Sequence, residues 1–330
     1  MRVVVVGATG NVGTSVVSAL ALDDRITSVL GLARRPPVDG RANVEWACAD
    51  VRSSDMTQYF EGADAVVHLA WVIQPSHDEP RMRRTNVGGS VRVFEAVARA
   101  RVPALVYASS VGAYAAGPSG RAVDESWPAT GIASSFYSRH KAAVERLLDR
   151  FCAEHPEVRC VRLRPGLIFK HGAAAEIRRY FIGSLVPPGL VRRYSLPVLP
   201  LPRGLRVQAV HAEDVADAYL RSVVCDVRGA FNVAAEPVLG PHELAGVFGA
   251  RPVAVPVTAV RAAVAASWRL RLQPTAPGWV DLGLGVPVMD TARARSELGW
   301  TPARSAIDSL REVIDGIPKR GHEPTAALRP

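Results

Sequence analysis

The chain has 330 residues, 48% of them apolar and 22% charged, a balance that excludes a disordered polypeptide and allows two domains or one enlarged one. Forty basic residues against 31 acidic give a net charge of +9, and only Lys141, Lys170 and Lys319 are lysines. That arginine excess leaves three readings open: nucleic acid, a phosphorylated ligand, or a compositional habit.

The most apolar later stretch, Val253 to Leu270, is broken by Pro256, Arg261 and Arg269, which argues against a membrane span. Cys48, Cys152, Cys160 and Cys225 lie too far apart for a disulfide framework or a zinc site. With no signal sequence ahead of the opening strand, these features point to a protein of a reducing cytoplasm.

In chain order, apolar runs predict strands at Val3–Val6, Ser28–Ala33, Val44–Cys48, Ala65–Leu69, Ala104–Ala108 and Arg159–Leu163. Helical patterns lie between them at Val12–Leu22, Ser54–Phe60, Arg83–Ala100 and Phe136–Glu154. Buried strands alternating with helices predict a doubly wound α/β domain with a parallel Rossmann-type sheet. This domain is expected over residues 1–165, with a smaller substrate-binding lobe over 166–330 whose segments near 207–234 return to the sheet. Residues 170–206 are rich in proline and arginine without a period, as a substrate lid would be. Further helices are predicted near Glu213–Val224, His242–Phe248, Val257–Leu270 and Ala303–Ile314, a strand near Ala230–Ala234, and a mobile tail from Gly321.

The first strand enters Gly7-Ala8-Thr9-Gly10-Asn11-Val12-Gly13, which opens a helix. Glycines there permit a tight turn and close backbone approach, so that a pyrophosphate can rest on the helix N-terminus. The spacing is GxxGxxG. At the end of the second strand the chain reads Leu32-Ala33-Arg34-Arg35, with no acid to bind a ribose 2′-hydroxyl. Arg34, with Arg35 as a second contact, favours a 2′-phosphate and hence NADP, with NAD as the alternative.

Tyr137 and Lys141 are four apart and share one face of a predicted helix. An ammonium beside a phenol is expected to lower the phenol's pKa and make it a usable acid or base. Ser109 and Ser110 follow a strand at the carboxyl edge of the sheet and supply the hydroxyl that holds a substrate oxygen.

In this order the motifs resemble the extended short-chain dehydrogenase/reductases, the NAD-dependent epimerase/dehydratase family. The resemblance covers nearly the whole chain. It implies Ser110, Tyr137 and Lys141 as catalytic residues, with Ser109 beside the nicotinamide. It implies Asp50-Val51 at the adenine, Leu69-Ala70 in the strand passing the cofactor, Asn86 on the next helix, and Arg164-Pro165-Gly166 at the carboxamide, with Pro165 a contact. Val210-His211-Ala212-Glu213-Asp214-Val215-Ala216 and Leu298-Gly299-Trp300-Thr301-Pro302 resemble later family motifs. Pairing through the helices Arg83–Ala100 and Phe136–Glu154 into a homodimer is likewise implied.

Departures from the family pattern narrow the substrate. Leu167 stands where nucleotide-sugar members resemble one another in an asparagine, Val111-Gly112 replace the acid pair of dehydratases, and Trp71 replaces a small residue. An oxidoreductase acting on a small apolar ketone or alcohol is therefore expected, without metal or nucleic acid. The alternatives are a nucleotide-sugar epimerase and a non-catalytic dinucleotide-sensing or nucleic-acid-binding relative. His68 and His211 are read as structural, and Asp124-Glu125 as ordering a loop near the site. Arg178, Arg179, Arg192 and Arg193 are candidates for an anionic substrate, against a reading as solvated surface.

Overall fold

The computed structural model describes residues 1–37, 40–118, 120–177, 197–317 and 325. Runs of β-branched residues form the first strands, and in β1 (Arg2–Val6) four successive valines are buried. There follow α1 (Asn11–Ala21), β2 (Ser28–Ala33), β3 (Val44–Cys48), α2 (Thr57–Phe60) and β4 (Ala65–His68). Next come α3 (Glu79–Arg83), α4 (Gly89–Arg99), β5 (Ala104–Ala108), α5 (Phe136–Glu154) and β6 (Arg159–Pro165). Beyond these lie β7 (Leu167–Phe169), α6 (Ala174–Ile177), β8 (Val198–Pro202), β9 (Val207–His211), α7 (Ala212–Val224) and β10 (Gly229–Val233). The remainder is β11 (Ala235–Leu239), α8 (Pro241–Phe248), β12 (Arg251–Val255), α9 (Val257–Arg269), α10 (Gly278–Gly285), α11 (Ala292–Glu297) and α12 (Ala306–Gly316).

The central sheet has seven strands in the order β10-β6-β5-β4-β1-β2-β3, all parallel. It is a Rossmann-like sheet with the strand order reversing at β1, where a ligand crevice opens at the carboxyl ends. One apolar layer packs α1, α7 and α12 on one face, and the other packs α2, α4 and α5. β10 reaches the edge of this sheet from beyond residue 165. β7, β9 and β11 form a separate three-stranded sheet, and β8 with β12 a two-stranded one.

The predicted helix Arg83–Ala100 is divided. Asp78 caps α3 by accepting from the amide of Arg81 (3.0 Å), and a π-helical turn at Arg84–Gly88 precedes α4. The predicted Ser54–Phe60 helix begins only at Thr57, because Ser54 Oγ instead contacts the amide of Asp50 (2.9 Å). The last helix starts at Ala306, where the Ser305 hydroxyl accepts from the amide of Asp308. Prolines 200 and 202 are tolerated in β8 because it belongs to a sheet of two edge strands. Arg178, Arg179, Arg192 and Arg193 lie outside the described residues, as does the tail from Gly321 apart from Thr325. Thr325 Oγ1 donates to the Thr9 carbonyl (3.0 Å).

Candidate active site

The glycine loop folds as its composition requires. Gly7 has φ +89°, and a Cβ on it would come within 2.6 Å of the Ala70 amide nitrogen. A Cβ on Gly13 would be 2.4 Å from the Gly7 carbonyl. These two glycines therefore serve the packing of β1 against α1 and the end of β4. Gly10 differs, because its nearest neighbour to a Cβ is the Gly7 carbonyl at 3.7 Å. Packing within the chain leaves space there, on the side where a pyrophosphate would lie.

α1 starts with no side-chain cap and no acid in its first turn. The amides of Asn11, Val12 and Gly13 consequently face a region of positive helix-end potential, which fits a dinucleotide diphosphate. Asn11 Nδ2 donates to the Ile168 carbonyl (3.2 Å), while its Oδ1 is buried without a partner.

Arg34 and Arg35 are exposed just past β2. Asp50 is held by Arg52 (2.7 Å), whose hydrogen bond keeps the carboxyl below its usual range, with a smaller contribution from the Arg34 charge. Val51 is buried against Gly89 of α4. The Leu69 amide donates to the Val6 carbonyl (2.8 Å), aligning the strand end beside the glycine loop. Asn86 sits in the π turn with both amide groups used on Val72, accepting from its N–H (2.8 Å) and donating to its carbonyl (2.9 Å). It holds the Trp71-Val72 segment in place, and both polar groups of its side chain are spent on that backbone. Pro165 ends β6 opposite Val233.

Ser110, Tyr137 and Lys141 are brought together where β5 ends. Ser110 opens a short 3-10 turn, its Oγ accepting from the amide of Gly112 (3.0 Å). Ser138 ties the start of α5 to that turn by donating to the Gly112 carbonyl (2.6 Å). The neighbouring Ser110 hydroxyl lowers the Tyr137 phenol, yet burial outweighs it and pushes the phenol up to about 12. Lys141 Nζ donates to the Ala108 carbonyl (2.7 Å) and lies 3.6 Å from the Trp71 ring centroid. Burial lowers the Lys141 ammonium to about 7, against the opposing charge of Glu145.

The expected depression of the tyrosine pKa by Lys141 is therefore not found. The ammonium is engaged by Ala108 and Trp71, 5.9 Å from the Tyr137 ring centroid, and burial of the phenol dominates. At neutral pH Tyr137 is a neutral phenol, suited to donating a proton.

Two further residues shape the site. Trp279 of α10 packs on Tyr137 with ring centroids 5.4 Å apart, and Trp71 meets the same ring edge-on at 6.1 Å. A Cβ on Gly278 would be 2.1 Å from the Ser134 carbonyl, so glycine is what lets α10 sit against the lead-in to α5. Sequence reasoning missed Trp279 because it lies far down the chain in a segment without a clear period. His68 is buried, bonded to Ser90 (2.9 Å), and held neutral to about 3 by burial and then by the Lys141 charge. His211 caps α7 by accepting from the Glu213 amide (3.2 Å). Glu125 contacts the Asn232 amide (2.8 Å) and orders the loop beside β10. Among the described residues no cluster of His, Cys, Asp or Glu is arranged to hold a metal ion, and no helix is long and apolar enough to cross a membrane.

A glycine loop feeding an open helix end, followed by a serine, tyrosine and lysine at the sheet's carboxyl edge, defines a Rossmann-type protein built for a nicotinamide dinucleotide. The model of the NAD-dependent epimerase/dehydratase family matches residues 3–234, and the chain belongs to that family. It is similar to an L-arabinose 1-dehydrogenase (NAD(P)(+)) of Haloferax volcanii, 37% identical over 110 residues that span 33% of this chain and 41% of that protein's length. A UDP-glucose 4-epimerase of Mycolicibacterium smegmatis is 25% identical across 96% of this chain and 98% of its own. The solved structure of MoeE5 in complex with UDP-glucuronic acid and NAD shares the fold, with TM-score 0.71 and 21% identity over 97% of this chain and 99% of that one.

Proposed function

We propose that the protein is an NADP(H)-preferring oxidoreductase that interconverts a ketone and an alcohol on a small apolar substrate. The observation that carries this reading is the Tyr137 phenol, set beside Ser110 and bordered by Trp71 and Trp279. When bound, the nicotinamide supplies or accepts the hydride.

The chain's own residues then have separate tasks. Ser110 orients the substrate oxygen by a hydrogen bond. Tyr137, neutral at pH 7, gives its proton to that oxygen as negative charge develops on it. Lys141 holds the ribose side of the cofactor. The amides opening α1 hold the diphosphate, and Arg34 takes the 2′-phosphate. The rings of Trp71 and Trp279 exclude water around the phenol, and Leu167, 37% exposed on β7, offers an apolar surface.

The test is consumption of NADPH with small aryl and alkyl ketones, in the wild type and in Tyr137→Phe. The variant should lose nearly all turnover and still bind NADPH; wild-type turnover in Tyr137→Phe would overturn the assignment. Likeness to the UDP-glucose 4-epimerase along nearly the whole chain favours a second reading, a nucleotide-sugar epimerase. Calorimetry with UDP-glucose separates the two, since Leu167 in place of a polar contact predicts no binding. Turnover also separates both from a dinucleotide-sensing or nucleic-acid-binding relative, which has no need of a poised phenol. We place the protein in the cytoplasm, and a homodimer through α4 and α5 is the expected assembly, to be read by light scattering.

A further inference from the structure

Glu145 lies on α5 one helical turn beyond Lys141 and is 1% exposed. Its Oε1 accepts from Ser109 Oγ and from Arg164 Nε (2.8 Å). Its Oε2 accepts from Arg164 Nη2 (2.7 Å) and Arg162 Nη1 (2.8 Å). A buried carboxylate is strongly unfavourable unless paired and fully hydrogen-bonded, and here four donors meet it. The arginine charges and bonds overcome its burial and hold it at about 2.

One side chain thus joins three elements: the end of β5 that carries Ser110, the helix that carries Tyr137 and Lys141, and β6. Arg164 carries the network onward, donating to Tyr114 Oη (2.9 Å) and the Glu125 carbonyl (3.0 Å), while Tyr114 donates to Asn232 (2.7 Å). A carboxylate needed only to neutralise β6 arginines could have come from any helix facing them. This one also grips the serine next to the catalytic hydroxyl and places its charge beside Lys141.

We propose, building on the hydride-transfer reading above, that Glu145 is a positioning residue of the catalytic set. Its carboxylate holds Ser109, and with it the strand end bearing Ser110, against α5, and its charge retains the Lys141 ammonium in a buried place. The groups facing Lys141 are Tyr137 on its own helix, Tyr107 and the Ala108 carbonyl on β5, His68 on β4 and the ring of Trp71. Those facing Glu145 are Arg162 and Arg164 on β6 and Ser109, with Tyr107 and Tyr114 close by. Arg162 is shared with Asp149 (2.7 Å). With Glu145 neutralised, two arginines would act on Lys141 with less to oppose them.

The experiment uses full-length protein labelled with 13C at the lysine ε-carbon, whose three lysines give three signals. Glu145→Gln should lower the titration midpoint of Lys141 by about one pH unit, leave Lys170 and Lys319 in place, and be restored by Glu145→Asp. With acetophenone and NADPH as probes, the same variant should lose about tenfold or more in kcat with little change in KM for NADPH, and its alkaline limb should move to lower pH. A folded Glu145→Gln with the wild-type Lys141 midpoint and kcat would overturn the proposal. If Glu145→Gln does not fold, Ser109→Ala removes the link without stranding a charge, and an unchanged kcat in that variant overturns the proposal equally. The lysine titration needs neither cofactor nor substrate. A Lys141 midpoint that follows Glu145 in an enzyme that never consumes NADPH would therefore sink the hydride-transfer reading and leave the Glu145–Lys141 coupling standing.

Discussion

Gly112 lies against the ring of Tyr137 so closely that a Cβ would be 2.8 Å from Cε1. No positive φ demands glycine at this position, so the close approach of the phenol is the reason for it. Gly112→Ala should therefore displace the ring from Ser110 while costing about 1–3 kcal/mol of stability. The expected result is a loss of turnover of tenfold or more with NADPH affinity kept, read by steady-state kinetics beside a fluorescence titration. Unchanged kinetics would mean that the ring gives way without consequence.

Gly10 and Gly13 separate packing from ligand binding. A Cβ at Gly13 meets backbone at 2.4 Å, so Gly13→Ala should lower stability by about 1–3 kcal/mol in thermal unfolding. A Cβ at Gly10 meets nothing closer than 3.7 Å. Gly10→Ala should leave stability within about 0.5 kcal/mol of wild type and weaken NADPH binding. Equal melting and equal affinity in Gly10→Ala would remove the diphosphate from this loop.

On the proposed reading, Arg34 sets the choice of dinucleotide. A charge-assisted contact to a 2′-phosphate is worth about 1.5–3 kcal/mol, so Arg34→Ala should weaken NADPH roughly tenfold or more and leave NADH nearly unchanged. Parallel losses for both would return Arg34 to the solvated surface and reopen NAD as the preferred cofactor.

Acid should destabilise the fold in a defined window. Burial, as the main cause, depresses His68 to about 3 and His140 to about 4, so both stay neutral in the folded chain. In the unfolded chain histidines take up protons near pH 6.5. The unfolded state then binds more protons, and stability falls as pH drops from about 6.5 towards 4. Glu145, held at about 2, adds stability that is present above about pH 4.5 and lost as pH falls through 2. Melting temperature followed from pH 7.5 to 4 should decline steadily; a flat profile would contradict the buried neutral imidazoles.

The strands β1, β2, β4 and β5 and the glycine loop were readable because burial imposes uninterrupted apolar runs, and the turn chemistry between them is local. The pairing of Tyr137 with Lys141 was readable from helical spacing. Their charge states were not, since these depend on Trp71, the Ala108 carbonyl and depth of burial, all assembled by tertiary contact. β7, β8 and β12 escaped because three- to five-residue strands, two of them holding prolines, carry no measurable alternation. Glu145 left a signal that went unused: an acid four residues after Lys141 on the same inward face of an otherwise apolar stripe.

The place of β10 at the rim of the central sheet has a bearing on how the chain is made. Until synthesis reaches Val233, β6 has no neighbour on its outer side, and its unpaired amides and carbonyls are open to any passing strand. Trp300, fully buried and donating to the Asp214 carbonyl (2.7 Å), delays the sealing of α7 further still. A fragment ended at Pro165 would carry the whole glycine loop and the Ser110–Tyr137–Lys141 set yet stop at a raw apolar margin. The dinucleotide half thus takes its outermost strand pairing from a segment made some sixty residues later, Gly229–Val233.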